Sequence, residues 1–297
     1  MDLSIVIPVR NEESTLPELT SRLYAAVKEI TNSYEIIFVT DENTDRTYDS
    51  LLEISRINPK VKVIKLSRSR GQYIALYAGV ENSCGDVVVT MDGDLQDSPE
   101  DIVKLYIQVK KGFAVACGVK EKKHASKIRG FFSKAFQKVW NFLSYEKIKL
   151  NTSIFRAMSK ETVKEIIKYK EYDFSLSGVL ALIGFSTIEV PVLSGRRKFG
   201  DTKYSYFDQI NLALSFILSF SVKPIRILLF FGLSLTFMFF ILLLYSLFYL
   251  NVTFIFMSFL LFLVSLILSG VGFIGEYIFK IYMQVKNRPL YTIEKLS

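Results

Sequence analysis

Two carboxylates at the end of an apolar run are the residues of this chain best placed to do chemistry. Asp92 and Asp94 follow the run Val87–Met91, with Gly93 between them. Residues two apart in extended backbone point to the same side, so the two carboxylates are expected to converge. Converging carboxylates repel each other unless a cation lies between them, and oxygen ligands suit Mg²⁺ or Mn²⁺, which complete their shells with phosphate oxygens.

A solvated acidic turn is the alternative explanation, and it is the better one for an isolated Asp-x-Asp pair. Here a buried strand precedes the pair, and a second polar pair, Gln96 and Asp97, follows it. The sequence therefore predicts a metal–diphosphate site at the end of this strand, with Asp92 and Asp94 facing the metal.

Short apolar runs alternate with helix-periodic segments over the first part of the chain. This alternation predicts an α/β domain with a doubly wound, mostly parallel sheet, which binds ligands beyond the carboxyl ends of its strands. The predicted strands are Ser4–Pro8, Glu35–Val39, Val61–Leu66, Val87–Met91 and Phe113–Cys117.

A dinucleotide-binding domain of the Rossmann type is the main rival for this pattern. That fold requires G-x-G-x-x-G after the first strand. Residues 8–12 read PVRNE at this position, so we exclude the rival.

The composition indicates a membrane-associated protein. Half of the residues are hydrophobic and 22% are charged, and Lys and Arg outnumber Asp and Glu 37 to 29, giving a net charge of +8. A basic balance suits nucleic acid, anionic lipid or phosphorylated ligands. Lipid and diphosphate explain this charge better than nucleic acid, which we do not expect as a partner.

Two uncharged segments, 227–250 and 254–275, are each long enough to cross a bilayer. Lys and Arg flank the pair, and the predicted turn 251–253 has none, so the positive-inside rule places both termini in the cytoplasm. We expect a multi-pass protein of the inner or plasma membrane. The predicted organisation is a catalytic domain (1–203), an interfacial segment (204–224), a two-helix hairpin (225–279) and a cytoplasmic tail (280–297).

Residues 120–138 form a basic tract with apolar residues at helical spacing. An amphipathic helix packed on the domain is the first interpretation, and contact with anionic headgroups is the second.

Three blocks of the sequence resemble the marker blocks of family 2 glycosyltransferases. They are SIVIPVRNEE at 4–13, VTDENTD at 39–45 and MDGDLQDSPE at 91–100. Two further blocks, 195–204 and 275–291, resemble the narrower group of polyprenyl-phosphate glycosyltransferases, which includes bactoprenol glucosyltransferases and dolichol-phosphate mannose synthases. The ordered set covers essentially the whole chain.

The resemblance implies a GT-A fold, a nucleoside-diphosphate sugar donor, a polyprenyl phosphate acceptor, a divalent cation and a homotetramer. It implies roles for individual residues as follows: metal binding by Asp92, Asp94 and Gln96; nucleotide binding by Pro8, Arg10, Asn11, Glu12, Asp41, Arg68, Gly71, Asp92 and Gly93; lipid-phosphate and diphosphate binding by Arg196, Arg197, Lys203 and Tyr204; catalysis by Asp94, Asp97 and Arg156.

The chain departs from the family pattern at three places. In the second block Thr40 replaces the first acid, and Glu42 and Asn43 replace Gly-Ser. Ahead of Gly71, Ser69 and Arg70 stand where relatives have Asn and an aromatic residue. Ser153 and Ile154 stand where many relatives have Gly-Asp, ahead of Phe155-Arg156. The acid that relatives carry before this Phe-Arg pair is therefore missing.

The missing acid suits a phosphate acceptor. The second pKa of a phosphate monoester is about 6, so the acceptor is mostly dianionic near neutrality and needs no strong general base. The roles left open for Asp97 are to orient a metal ligand, to contact the sugar, to act as a base, or merely to provide an acidic charge at a helix start.

The expected function is inverting transfer of one hexose, with UDP-glucose as the first choice of donor, to undecaprenyl phosphate. GDP-mannose and UDP-N-acetylhexosamine are alternative donors, and a non-catalytic membrane partner in glycan export is an alternative class. A processive polysaccharide synthase fits less well, because the only tryptophan, Trp140, is not in a Gln-x-x-Arg-Trp block.

Overall fold

The computed structural model describes residues 1–120, 154–171, 174–193, 234, 237, 252–286 and 288–297. The described residues up to 193 and from 289 onward belong to one compact unit, and those from 234 to 288 belong to a second.

The first unit is built on a mostly parallel sheet. Its eight strands among the described residues are ordered β7-β5-β6-β4-β1-β2-β3-β8. Only β6 and β8 run antiparallel to their neighbours. The strands are β1 (Leu3–Val9), β2 (Tyr34–Thr40), β3 (Val61–Leu66), β4 (Val87–Thr90), β5 (Val115–Lys120), β6 (Arg156–Ser159), β7 (Thr187–Val192) and β8 (Ile293–Leu296).

Helices cover both faces of this sheet, as a doubly wound fold requires. On one face α1, α2 and α4 bury residues such as Leu19, Leu51 and Leu105. On the other face α3, α5 and α6 bury residues such as Ile74 and Val163. The helices are α1 (Leu16–Lys28), α2 (Thr47–Ile57), α3 (Gln72–Glu81), α4 (Ile102–Lys110), α5 (Lys160–Ile166) and α6 (Leu176–Ile183), and a 3-10 turn (Pro99–Asp101) precedes α4.

The mostly parallel α/β architecture predicted from the sequence is confirmed, and all five predicted strands are present with small shifts at their ends. Three strands were not predicted. Strand β6 is short and begins with a charged residue, while β7 and β8 are edge strands with mainly exposed side chains, so none has a strong apolar pattern.

One long helix, α7 (Val252–Val285), accounts for most of the described part of the second unit. It contains the predicted span 254–275 and begins at Val252, so the predicted turn at 251–253 is wrong at its last two residues. Among the described residues, none of the helices meets the length and hydropathy needed to cross a bilayer. The predicted span 227–250 (save for residues 234 and 237), the interfacial segment 204–224 and nearly all of the tract 120–138 lie outside the described residues.

Candidate active site

The loops that follow β1 and β2 lie at the same edge of the sheet, because their strands are parallel neighbours. Two side chains join them reciprocally. The backbone N–H of Asn11 donates to Asn43 Oδ1 at 3.0 Å, and the N–H of Thr44 donates to Asn11 Oδ1 at 2.8 Å. Asn11 has a φ of 54°, a left-handed conformation that asparagine tolerates better than most residues. Asn11 is therefore a structural link between two loops of the site.

Asp41, the first residue after β2, is buried and receives a hydroxyl hydrogen bond from the loop after β3. Ser69 Oγ donates to Asp41 Oδ2 at 2.7 Å. Arg10 Nε lies 3.7 Å from Asp41 Oδ1, and Arg10 Nη1 donates to Ser69 Oγ at 3.3 Å. Two residues of the predicted nucleotide site, Arg10 and Asp41, are thus brought together, and Ser69, a departure from the family pattern, joins them.

Thr40, the other departure in this region, also has a defined partner. The side-chain amide of Asn43 donates to Thr40 Oγ1 at 2.7 Å and to the backbone carbonyl of Asp41 at 3.1 Å. The two replaced positions of the second block therefore stabilise the loop through each other.

The residues after β4 alternate between buried and half-exposed. Met91, Gly93, Leu95 and Asp97 are buried, whereas the three predicted metal ligands between them are half-exposed. These are Asp92, Asp94 and Gln96. The pattern agrees with the expectation that the carboxylates of Asp92 and Asp94 lie on the same side of the chain. The backbone here is a loop and not an extended strand, because β4 ends at Thr90 and Leu95 has a φ of 61°.

Gly93 is required by the close approach of the β1 and β4 loops. A Cβ at this position would lie 2.6 Å from Val9 Cγ1, so any other residue would push the loops apart. Thr15 Oγ1 also donates to the Gly93 carbonyl at 3.3 Å. Gly93 therefore holds Asp92 and Asp94 against the end of β1.

The carboxylates themselves accept hydrogen bonds from neutral donors. Gln72 Nε2 donates to Asp92 Oδ1 at 2.5 Å, and the backbone N–H of Gln96 donates to Asp94 Oδ1 at 3.1 Å. Within the described residues no three or more His, Cys, Asp or Glu side chains come together as a metal cluster. Two half-exposed carboxylates and an amide fit a hard cation such as Mg²⁺ or Mn²⁺, which takes few protein ligands and fills its shell with phosphate and water.

Asp97 is fully buried behind the two aspartates. Its Oδ2 accepts the backbone N–H of Asp92 at 3.1 Å, and its Oδ1 lies 2.9 Å from Lys120 Nζ at the end of β5. A buried carboxylate that faces the Asp92 backbone and is paired with a lysine orients the acidic loop. Of the roles left open by the sequence, the geometry favours this one.

Arg156 begins β6 opposite Thr90, the last residue of β4. It is only 2% exposed, and its Nη2 donates to Ser177 Oγ at 2.6 Å. Burial lowers the pKa of its guanidinium, while the neighbouring Cys117 and Tyr73 raise it. Arg156 thus lies at the sheet edge that carries Asp92, but its side chain is buried against α6.

The other predicted site residues are distributed around this edge. Pro8 is buried in β1, and the backbone N–H of Glu12 donates to Thr47 Oγ1 at 2.8 Å. Arg68 and Gly71 are exposed in the loop after β3, where Gly71 has a φ of 87°. The predicted phosphate-binding residues lie outside the described residues: Arg196, Arg197, Lys203 and Tyr204.

Two site residues were missed in the sequence. Gln72 is the first residue of α3, and its position directly after a strand-end loop was a usable signal. Lys120 was counted only as part of a basic tract, and nothing in the sequence relates it to Asp97.

Comparison with known proteins shows the family to which the chain belongs. The sequence model described as Glycosyl transferase family 2 matches residues 4–167, which is more than half of the chain. The chain is 33% identical to an undecaprenyl-phosphate 4-deoxy-4-formamido-L-arabinose transferase of Pseudomonas fluorescens, over 99% of this chain and 89% of that protein. It is 32% identical to a bactoprenol glucosyl transferase of Shigella phage SfII, over 99% of this chain and 98% of that protein.

A solved structure supports the fold assignment. The glucosyl-3-phosphoglycerate synthase of Mycobacterium tuberculosis, crystallised with Mn²⁺ and UDP-glucose, superposes with a TM-score of 0.53 at 16% identity and covers 73% of this chain and 77% of that one. At this identity the likeness shows the GT-A fold alone. Fold, ordered motifs and family match together lead to one conclusion: the chain is a glycosyltransferase that belongs to Glycosyl transferase family 2.

Proposed function

We propose that this glycosyltransferase transfers a single hexose from a nucleoside-diphosphate sugar to a polyprenyl phosphate at the cytoplasmic face of a membrane. Two full-length relatives, named for undecaprenyl phosphate and for bactoprenol, support the acceptor class. UDP-glucose is our first choice of donor, and GDP-mannose and UDP-N-acetylhexosamines are the alternatives.

The observation that carries the proposal is the half-exposed set Asp92, Asp94 and Gln96 at the carboxyl edge of the sheet. It lies at the end of β4, next to the β1 loop that Gly93 and Thr15 hold in place. Mg²⁺ or Mn²⁺ bound by these residues would neutralise charge on the departing diphosphate. The half-buried and buried polar residues of the β1 and β2 loops, such as Asn11 and Asp41, would hold the nucleoside.

The reaction needs no proton transfer from the acceptor. An oxygen of the dianionic phosphate forms a bond to the anomeric carbon, the bond from that carbon to the diphosphate breaks, and the nucleoside diphosphate leaves with the electron pair. In-line attack inverts the anomeric configuration. The engagement of both Asp97 oxygens, by the Asp92 N–H and by Lys120, supports a mechanism in which Asp97 orients and does not act as the base.

The membrane location is also part of the proposal. Many large apolar side chains of α7 are exposed, and they recur at intervals of three and four residues, which is one face of a helix. From Phe256 to Ile278 this face extends about 33 Å at 1.5 Å per residue. Exposed apolar patches of this size are typical of membrane or protein contact surfaces.

The cytoplasmic orientation and the acceptor-binding segment remain inferences from the sequence. Lys223 and Arg226 precede the first uncharged segment, and Lys280, Lys286 and Arg288 follow the second. We assign the binding of the acceptor and donor phosphates to three basic residues and a tyrosine: Arg196, Arg197, Lys203 and Tyr204. A homotetramer is a further expectation from the resemblance.

The test is transfer by the purified full-length protein in detergent. The protein is incubated with undecaprenyl phosphate, Mn²⁺ or Mg²⁺ and one donor at a time, and the lipid product is identified by mass spectrometry. We expect one donor to give a glycosylated lipid phosphate with stoichiometric release of nucleoside diphosphate.

Omission of the lipid phosphate is the control that separates transfer from donor hydrolysis. A product that forms only when the lipid is present supports the proposal. Absence of lipid product with every donor tested, from protein shown to be folded, would refute it and would favour the non-catalytic alternative.

A further inference from the structure

The first residue of α3 contacts the first carboxylate of the site. Gln72 Nε2 donates to Asp92 Oδ1 at 2.5 Å, although the two residues belong to different strand–helix units. The helix begins at Gln72 because Gly71, with a φ of 87°, turns the chain out of the loop after β3. The bond therefore links the loop after β3 to the acidic loop after β4.

The position of Gln72 is fixed by the packing of its helix. Helix α3 lies so close to the sheet that a Cβ on Gly79 would be 2.2 Å from Val6 Cγ1 and 2.9 Å from Val39 Cγ2. Seven consecutive residues, 74–80, are buried. Because α3 is packed this tightly against β1 and β2, its backbone is fixed relative to the sheet. The side-chain amide of Gln72 is therefore held at a fixed position next to Asp92.

The charge of the donor matters as much as its position. A carboxamide N–H orients a carboxylate without cancelling its charge, whereas a lysine or arginine would form an ion pair and compete with a cation for the same oxygens. A carboxylate has about four lone-pair directions, and the bond from Gln72 occupies one of them.

We infer that Gln72 is a positioning residue for Asp92 and sets the affinity of the Asp92/Asp94 pair for a divalent cation. The inference rests on the proposed function, because it assumes that this pair holds the cation. Groups that hydrogen-bond to metal ligands typically change metal affinity or activity by about 10- to 100-fold when removed.

The test measures metal binding directly, with Mn²⁺ and UDP as the probes and calorimetry on the full-length protein as the readout. We expect Gln72→Ala to weaken Mn²⁺ binding by about 10-fold. Gln72→Lys should weaken it more than Gln72→Ala, because its ammonium group keeps a donor near Asp92 but opposes a second cation. A merely structural role predicts the opposite order, since lysine retains more of the side chain than alanine does.

Gln108, a half-buried glutamine of α4, provides the matched control. Gln108→Ala should leave Mn²⁺ affinity unchanged, and melting temperatures of all variants show whether they fold. Unchanged Mn²⁺ affinity in folded Gln72→Ala, or a weaker effect of lysine than of alanine, would overturn the inference while leaving sugar transfer intact. If the wild-type protein binds no Mn²⁺ with UDP present, the metal site of the proposed function fails as well, and the donor assay still reports on transfer.

Discussion

Glu35, at the amino edge of the sheet, and the pair Asp92 and Asp94, at the carboxyl edge, have opposite surroundings. At the amino edge, Glu35 is 1% exposed. Its Oε1 accepts from Ser4 Oγ at 2.6 Å and from the Cys84 N–H at 2.7 Å, and its Oε2 lies 2.6 Å from Lys62 Nζ. At the carboxyl edge, Asp92 and Asp94 are half-exposed. A carboxylate buried among fixed donors stabilises a fold, whereas one left half-exposed keeps capacity for a ligand.

The amino-edge network joins four segments through one side chain. Ser4 is in β1, Glu35 in β2, Lys62 in β3, and Cys84 lies just before β4. Burial raises the pKa of Glu35, but the hydrogen bonds from Lys62, Ser4 and Cys84 outweigh it and leave this pKa below its ordinary value. Glu35 is therefore ionised at neutral pH and fastens the amino ends of the parallel strands.

The largest expected effect is at the carboxyl edge. Asp94→Asn removes a full charge from the predicted metal site, and we expect the transfer rate to fall at least about 100-fold, equivalent to about 2.7 kcal/mol. The rate of nucleoside diphosphate release measures this, and the melting temperature should change little. Asp86→Asn, an exposed aspartate at the amino edge, is the control, and an equal loss in both variants would contradict the contrast between the edges.

The next effect is on stability and belongs to the amino edge. Glu35→Ala leaves the Ser4 hydroxyl and the Cys84 N–H without their acceptor, and we expect a loss of about 2–4 kcal/mol in the free energy of unfolding. Lys62 contributes less, because it is 40% exposed and can turn to solvent. A thermal melt of the full-length protein checks this, with the exposed Glu29→Ala as control. A melting temperature equal to that of the control would show that the network is not stabilising.

A smaller effect is expected for Asp97→Asn. Asp97 is buried, as Glu35 is, but it contacts the backbone of Asp92 at the carboxyl edge. The amide keeps an acceptor for the Asp92 N–H and loses the charge paired with Lys120. We expect a loss in transfer rate of about 10-fold, as for other groups that support metal ligands. The comparison with Asp94→Asn decides the mechanism: a loss as complete as that of Asp94→Asn would mean that Asp97 acts as a base.

The smallest expected effect is a pH dependence of stability. Because the pKa of Glu35 is lower in the folded state, its contribution to stability is present above its ordinary pKa of 4.5 and is lost as pH falls through the folded-state value. The difference in melting temperature between wild type and Glu35→Gln should therefore shrink as the pH falls below 4.5. A constant difference from pH 7 to pH 3 would exclude this role.

Much of the fold was predictable because the central strands are buried on both faces. Runs such as Val87–Val89 are continuously apolar and buried, which is typical of strands in a parallel sheet. Strand β8 was not predictable. It pairs with β3 and is reinforced by Tyr291, whose hydroxyl donates to Glu81 at 2.6 Å, a contact between residues far apart in the chain.

The sequence by itself determined the α/β alternation, the position of the acidic pair after β4 and the identity of the family, because local periodicity and ordered motifs carry that information. Tertiary structure alone decided which groups surround the pair. Gln72 reaches Asp92 only because α3 packs tightly on β1 and β2. Lys120 meets Asp97 only because β6 inserts between β4 and β5 and because β7 pairs with β5 as far as Lys120. Long-range pairing of this kind depends on the packing of whole elements, which no local spacing of residues specifies.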